Sequence, residues 1–367
     1  MSQAPQRLLG RIAAGAVSFI VLTYVIAIGI GLALVTFGQF AGQLERIRVH
    51  FFTGAFFIYP IITPIPVDLL LLTDACIVIY LACFISAFRS KDGFLSGLQH
   101  LRQTGRIGMK SNWLVLMPLV SSFLLLMVLA ASTALSQAGV PSGQLCTDPN
   151  MHLPNPCPPQ AELYASLTYA PISEEIAFRI TTLGLLVSIM TLWKTRSIEP
   201  GSSKPKNLSL IVGSFLSPES AKAKVGLPTI TSNGWHGIHW SEWSLLFLTS
   251  SFFGIAHVIS GGTDWGVGKA FTAAISGFAL GLVYLGCGAY AAVLLHWFFD
   301  FYFETFGVGA DVFGGPFATL PGLVSLATLA VGIVSILVAL AWLVRRMTRG
   351  KIPTTYKIPE SVPYSVQ

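Results

Sequence analysis

Charged residues are scarce in this sequence: Asp, Glu, Lys and Arg make up 10% of its 367 positions, where soluble domains carry roughly 25%. So little charge cannot cover a water-facing body of that length, and a soluble globular protein is excluded. Alternation of apolar and polar residues with period two is absent from the apolar runs, which excludes a membrane β-barrel. No internal repeat is evident, so the inverted halves of many transporters are missing too. A compact His-Glu-x-x-His metal motif is also lacking. Of five cysteines, Cys76, Cys83 and Cys287 fall within apolar runs and read as small core residues. Cys146 and Cys157 lie eleven apart in a Pro-rich loop, where a disulfide is allowed if the loop faces an oxidising compartment.

What the chain does have is apolar length. The hydrophobic set makes up 53% of the residues and the mean hydropathy is +0.69. Apolar segments run at about 12 to 38, 67 to 88, 112 to 135, 163 to 193, 241 to 259, 270 to 287, 289 to 304 and 320 to 344, most of them near the ~20 residues that span a bilayer as a helix. Backbone groups in lipid must be satisfied within the segment, so helices are required. The expectation is an all-α polytopic transmembrane bundle of about eight helices, the seventh being the shortest. The first segment follows Arg7 and Arg11 and is 27 residues long, which suits an uncleaved helix better than a signal peptide. Three regions are expected: 1–160 with the first three helices and an extracytoplasmic loop, 161–310 as a core of helices four to seven with a cytoplasmic loop at 194–240, and 311–367 with the last helix and a basic tail.

The net charge of +6 does not form a nucleic-acid patch, because Lys and Arg stand in blocks at the ends of apolar runs. Counted between segments, eighteen lie in one alternate set (the N-terminus, 89–111, 194–240 and the C-terminal tail), and only Arg46, Arg48 and Lys269 lie in the other. The positive-inside rule then places both termini in the cytoplasm of a plasma (inner) membrane protein and leaves the Cys146/Cys157 loop outside. The Ser-, Pro- and Lys-containing stretch 197–240 reads as a solvated linker, closed by Trp235 to Trp240 as an interfacial aromatic belt.

Ionisable side chains inside a membrane cost about 2.5–3.5 kcal/mol each on the insertion scale and mark functional sites. Here they are concentrated. The fourth segment holds Glu174, Glu175 and Arg179; on a helix Glu175 and Arg179 stand at i and i+4 with the acid first, the favourable order for a pair. Glu174 points about 100° away, so Arg179 is expected to hold Glu175 while Glu174 handles a proton. The fifth segment ends with Phe253 and His257, and the seventh puts His296 and Asp300 on one face. Under the expected topology these groups meet at similar depth in the outer half of the membrane. Asp74 is a further intramembrane acid, and Gly277 with Gly281 predicts a close helix contact.

In that order on successive helices, Glu-Glu-x-x-x-Arg, Phe-x-x-x-His and His-x-x-x-Asp resemble the three motifs of the CPBP family, the type II CAAX prenyl endopeptidases and bacteriocin-processing (Abi) membrane proteins, over residues 163 to 304. The resemblance implies a glutamate-type intramembrane endopeptidase without a cofactor, in which Glu174 and His257 activate a water molecule and His296 with Asp300 stabilises the oxyanion. Glu175, Arg179 and Phe253 support them. Eukaryotic relatives carry Asn at the last motif position; an ionised Asp300 cannot donate to an oxyanion, so it is expected to orient His296. The expected partners are the lipid bilayer and a membrane-anchored protein or peptide; a site facing outward argues against a prenylated CAAX substrate. The rival readings are a Zn²⁺ protease using Glu174, His257, His296 and Asp300 as ligands, a non-catalytic scaffold or immunity protein, and a proton-coupled transporter.

Overall fold

The computed structural model describes residues 3–50, 52–55, 59–62, 66–90, 93–105, 107, 111–143, 158–198, 204–260 and 265–349. The chain opens with helix α1 (Gln3–Thr36) and the short α2 (Gly38–Arg46), followed by two small antiparallel ribbons, β1 (Arg48–Val49) with β4 (Val67–Asp68) and β2 (Phe52–Ala55) with β3 (Tyr59–Ile62). Then come α3 (Leu69–Arg89), α4 (Phe94–Thr104), α5 (Trp113–Gln137) and α6 (Gln160–Glu175), which continues through a π-helical turn (Ile176–Ile180) into α7 (Thr182–Ile198). Three short helices, α8 (Lys204–Leu216), α9 (Pro218–Lys224) and α10 (Ile230–Asn233), lead to α11 (Trp240–Ser260) and α12 (Val267–Cys287). Helix α13 (Ala289–Trp297) passes through a second π-helical turn (Phe298–Tyr302) into α14 (Phe303–Phe313), and α15 (Leu320–Arg349) ends the described chain.

Among the described residues, seven helices are long and apolar enough to cross a membrane: Arg7–Thr36, Leu69–Arg89, Trp113–Gln137, Gln160–Arg196, Trp240–Ile259, Val267–Cys287 and Gly315–Ala341. The fold is a polytopic all-α bundle and the protein is integral to a membrane. The expected seventh segment, 289 to 304, is helical too, but its two α-helical parts are each shorter than a membrane width because a π turn separates them. Residues 289, 291 to 298, 301 and 302 along it are buried, so it runs through the middle of the protein.

Aromatic packing fixes that central helix. Trp297 is fully buried and meets Tyr24 of α1 and Phe84 of α3 edge-on, at ring-centroid distances of 5.6 and 5.1 Å, a geometry that adds about 0.5–1.5 kcal/mol per pair beyond area burial. Tyr302 reaches Thr23 at 2.5 Å, and Tyr24 reaches Ser121 of α5 at 3.2 Å. Tyr80 on α3 donates to the carbonyl of Thr168 on α6. The Asn112 carboxamide caps α5 by accepting from Leu114 N–H at 2.9 Å, and its amide group donates to the carbonyls of Ala87 and Ser90 at 2.8 Å each, so one N-cap residue also stops α3.

Of the stretch expected to be a solvated linker, residues 204–240 are folded instead. Glu219 accepts from the N–H groups of Ile230 and Thr231 at the start of α10. Lys222 is buried, 2.7 Å from Glu242 and 2.6 Å from the carbonyl of Gly237, and Glu242 also accepts from His239 N–H at 2.7 Å. Pro218 at the first position of α9 and Thr229 capping α10 supply the helix starts. Trp235 and Trp240 are exposed. Cys146, Cys157 and the basic tail beyond Arg349 lie outside the described residues.

The close contact expected at Gly277 and Gly281 is present between α12 and its neighbours. A Cβ on Gly277 would stand 2.9 Å from Phe253 and 3.1 Å from Arg179, and one on Gly281 would stand 2.2 Å from Leu246. Gly254 of α11 lies so close to α12 that a Cβ there would be 2.1 Å from the Ala270 carbonyl oxygen.

Candidate active site

Pro171 lies inside α6 and has no N–H, so the carbonyl one turn before it, of Leu167, loses its helical donor. The helix is loosened just ahead of Glu174. Immediately after Glu175 the backbone widens into the first π turn, where the N–H of Thr181 bonds to the carbonyl of Ile176 at 3.1 Å, five residues back. The second π turn contains Asp300. Such turns are rare and frequently sit at functional sites; two of the three motif-bearing helices have one, and α11 has none.

The two glutamates straddle one imidazole. Glu175 Oε1 lies 2.9 Å from His296 Nδ1, and Glu174 Oε2 lies 3.4 Å from His296 Nε2. Asp300 Oδ2 also lies 3.4 Å from Nε2. Behind Glu175, the Arg179 guanidinium donates to Oε1 at 3.0 Å and to the Gly277 carbonyl at 3.2 Å, and it stacks 4.2 Å from the centre of the Phe253 ring. The expected Glu175–Arg179 pair is therefore present, extended by a hydrogen bond to His296.

Accessibility separates the acids. The Glu175 side chain is 0% exposed and Arg179 1%, whereas Glu174 is 30% exposed and Asp300 25%. Glu175 is sealed behind the histidine, and Glu174 and Asp300 face the open side. Glu174 Oε2 is buried with no hydrogen-bond partner among the described residues.

His257 is half-buried at the end of α11. Its Nδ1 lies 2.8 Å from the Phe253 carbonyl; a carbonyl only accepts, so Nδ1 carries the proton and Nε2 is left for other partners. The Phe253 ring stands between the two histidines, 4.6 Å from His257 and 5.7 Å from His296 by ring centroids. The charge of His257 bears on Glu174, together with those of His296, Asp300 and Arg179. All seven residues singled out in the sequence thus gather in one place, with His257 at its edge.

Two differences from expectation stand out. Asp300, expected to orient His296, lies 3.4 Å from Nε2, and Glu175 adds a contact at Nδ1, 2.9 Å away on the opposite edge of the ring. Lys269 was missed: in the first turn of α12, its charge bears on Asp300 and Glu174. Asp74 is half-buried on α3 and has no hydrogen bond or ion pair among the described residues. No three His, Cys, Asp or Glu side chains among the described residues are arranged to hold a metal ion.

No curated protein and no solved structure matches the chain. Residues 159–302 match the family model described as type II CAAX prenyl endopeptidase Rce1-like, a stretch running from the start of α6 to the end of the second π turn. That family is one of membrane-embedded proteases. The segment holding the whole cluster is thus the part of the chain similar to the Rce1-like type II CAAX prenyl endopeptidases, the family that the three motifs resemble.

Proposed function

We propose that the protein is an intramembrane endopeptidase that hydrolyses peptide bonds with a water activated by Glu174, assisted by His257. The observation that carries this reading is the pair of carboxylates on one imidazole: Glu175, sealed and neutralised by Arg179, holds Nδ1 of His296, and Glu174, its side chain partly exposed and its Oε2 without a hydrogen bond among the described residues, stands beside Nε2. Glu174 takes a proton from water as the oxygen attacks the peptide carbonyl carbon, and that proton later passes to the leaving amine. Since Nδ1–H is engaged by Glu175, His296 donates to the oxyanion through Nε2–H only as the imidazolium, a charge that the surrounding carboxylates compensate. Asp300 belongs to this compensation. His257, with Nε2 unengaged by its own helix, completes the water site.

The reaction is proposed to need no metal, since His296 Nδ1 is already engaged and the cluster lacks a three-donor set among the described residues. The charge pattern supports cytoplasmic termini and a site opening to the far side. Substrates are then membrane-anchored proteins or peptides approached from outside or laterally through the bilayer. The test compares membrane-proteome peptide termini in cells carrying wild-type protein and Glu174→Ala. Termini found only with wild type are expected; identical sets, with both proteins present at equal levels, would favour a scaffold.

A further inference from the structure

Arg179 is occupied by Glu175 and the Gly277 carbonyl, so it has little to offer a ligand. Lys269 is different. It sits near enough to the cluster for the charges of Asp300 and Glu174 to act on it, yet no carboxylate lies within ion-pair distance of it among the described residues; its ammonium stands over the Trp265 ring, 4.0 Å from Nζ to the ring centre.

This placement is costly in three ways. Lys269 is half-buried, it has no counter-ion among the described residues, and it occupies the first turn of α12, where the helix dipole disfavours a cation. A lysine with a purely structural role in this protein looks otherwise: Lys222 is buried against Glu242 at 2.7 Å.

The backbone around Lys269 is held firmly. Gly266 N–H donates to Ser142 O at 3.0 Å, Gly268 N–H to Pro141 O at 3.1 Å, and Gly143 pairs with Trp265. The contact of Gly254 with Ala270 sets this turn of α12 level with the turn of α11 that carries His257. Lys269 thus stands level with His257 at the edge of the site, where the charges of the two accessible acids act on it. An anionic ligand approaching Glu174 and Asp300 would be repelled by both unless a cation met it.

We propose that Lys269 binds a carboxylate of the substrate peptide close to the scissile bond, and so sets specificity. The inference rests on the proteolytic reading above. A compact ammonium with three donors suits a single carboxylate as a point charge, and the Trp265 face holds it without consuming those donors. Two sources offer the same chemistry: an Asp or Glu side chain at a fixed distance from the cut, or the free C-terminus of a peptide cut near its end.

The test uses the full chain in liposomes and a proteome-derived tryptic peptide library, once with free and once with amidated C-termini, with cleaved products identified by mass spectrometry. Wild type is expected to favour peptides with a carboxylate at a fixed distance from the cut by about tenfold, the scale of one charge-assisted contact. Lys269→Gln loses that preference, Lys269→Glu reverses it toward Lys or Arg, and Lys269→Arg keeps it. A preference for Asp or Glu that survives amidation assigns the side chain; cleavage that amidation abolishes assigns the C-terminus. The same carboxylate preference in Lys269→Gln as in wild type, or no preference in wild type, overturns the role of Lys269 and leaves the protease intact. Folded wild-type protein that cleaves nothing overturns both.

Discussion

Glu175 and His296, 121 residues apart in sequence, are joined by a 2.9 Å hydrogen bond inside the protein. It turns an ion pair local to one helix into a chain of contacts, from the Gly277 carbonyl through Arg179 and Glu175 to the imidazole and on to the accessible acids.

Glu174→Gln keeps the shape of the side chain and removes the base. Peptide hydrolysis is expected to fall by about 10²–10⁴-fold, the usual contribution of a general base, with thermal unfolding of the purified protein unchanged. Activity near wild type would assign the base elsewhere.

Glu175→Gln affects both function and folding. Arg179 would be left buried without its partner, which costs about 3–5 kcal/mol, and His296 would lose the acid that sets its ring. Denaturant unfolding and kcat measured on one preparation should both change, with kcat at least about 100-fold down. Asp300→Asn, on the accessible edge of the ring, is expected to reduce kcat by about tenfold; an order of effects opposite to this would return the orienting role to Asp300.

Gly254→Ala should damage the protein more than Gly281→Ala, although both added methyls meet an atom at nearly the same distance. The first meets the backbone carbonyl of Ala270 and the second the end of the flexible Leu246 side chain. Overpacking costs about 1–3 kcal/mol where neighbours can shift, and α11 would have to part from α12 in the first case. Unfolding temperatures of the two variants check this order.

The Lys222–Glu242 pair anchors the folded segment between α7 and α11. Lys222→Met leaves Glu242 buried and unpaired, an expected loss of about 3–5 kcal/mol. Adding Glu242→Leu should restore much of it, since an apolar pair of similar volume needs no counter-charge. Proteolytic nicking between 204 and 237 reads the local opening directly.

Proteolysis by wild type is expected to persist in excess chelator. Loss of activity that Zn²⁺ alone restores would instead make Glu174, His257, His296 and Asp300 metal ligands.

The spanning helices and the Glu175–Arg179 pair were legible in the sequence because both follow from local rules, apolar length and i,i+4 spacing. The bond from Glu175 to His296 was not, since it depends on how α6 and α13 pack. The π turns were equally hidden: Ile176–Ile180 and Phe298–Tyr302 contain nothing that distinguishes them from α-helix. In the stretch 204–237 the short helices fell below the length at which apolar periodicity speaks, although Pro218 and Thr229 are recognisable helix starts. Lys269 was counted only as a loop charge; the signal available was a cation in the first turn of an apolar helix, four residues after a tryptophan.

Trp297 follows His296 in the chain and faces the other way, into Tyr24 and Phe84. The same turn of helix that presents the imidazole is thereby anchored on its far side by rings from α1 and α3. The loss of freedom in positioning His296 is therefore incurred when the chain folds, and an arriving peptide finds the ring already in place. Loosening that anchor, for instance with Trp297→Leu, should be felt in turnover although the substituted side chain never meets a substrate.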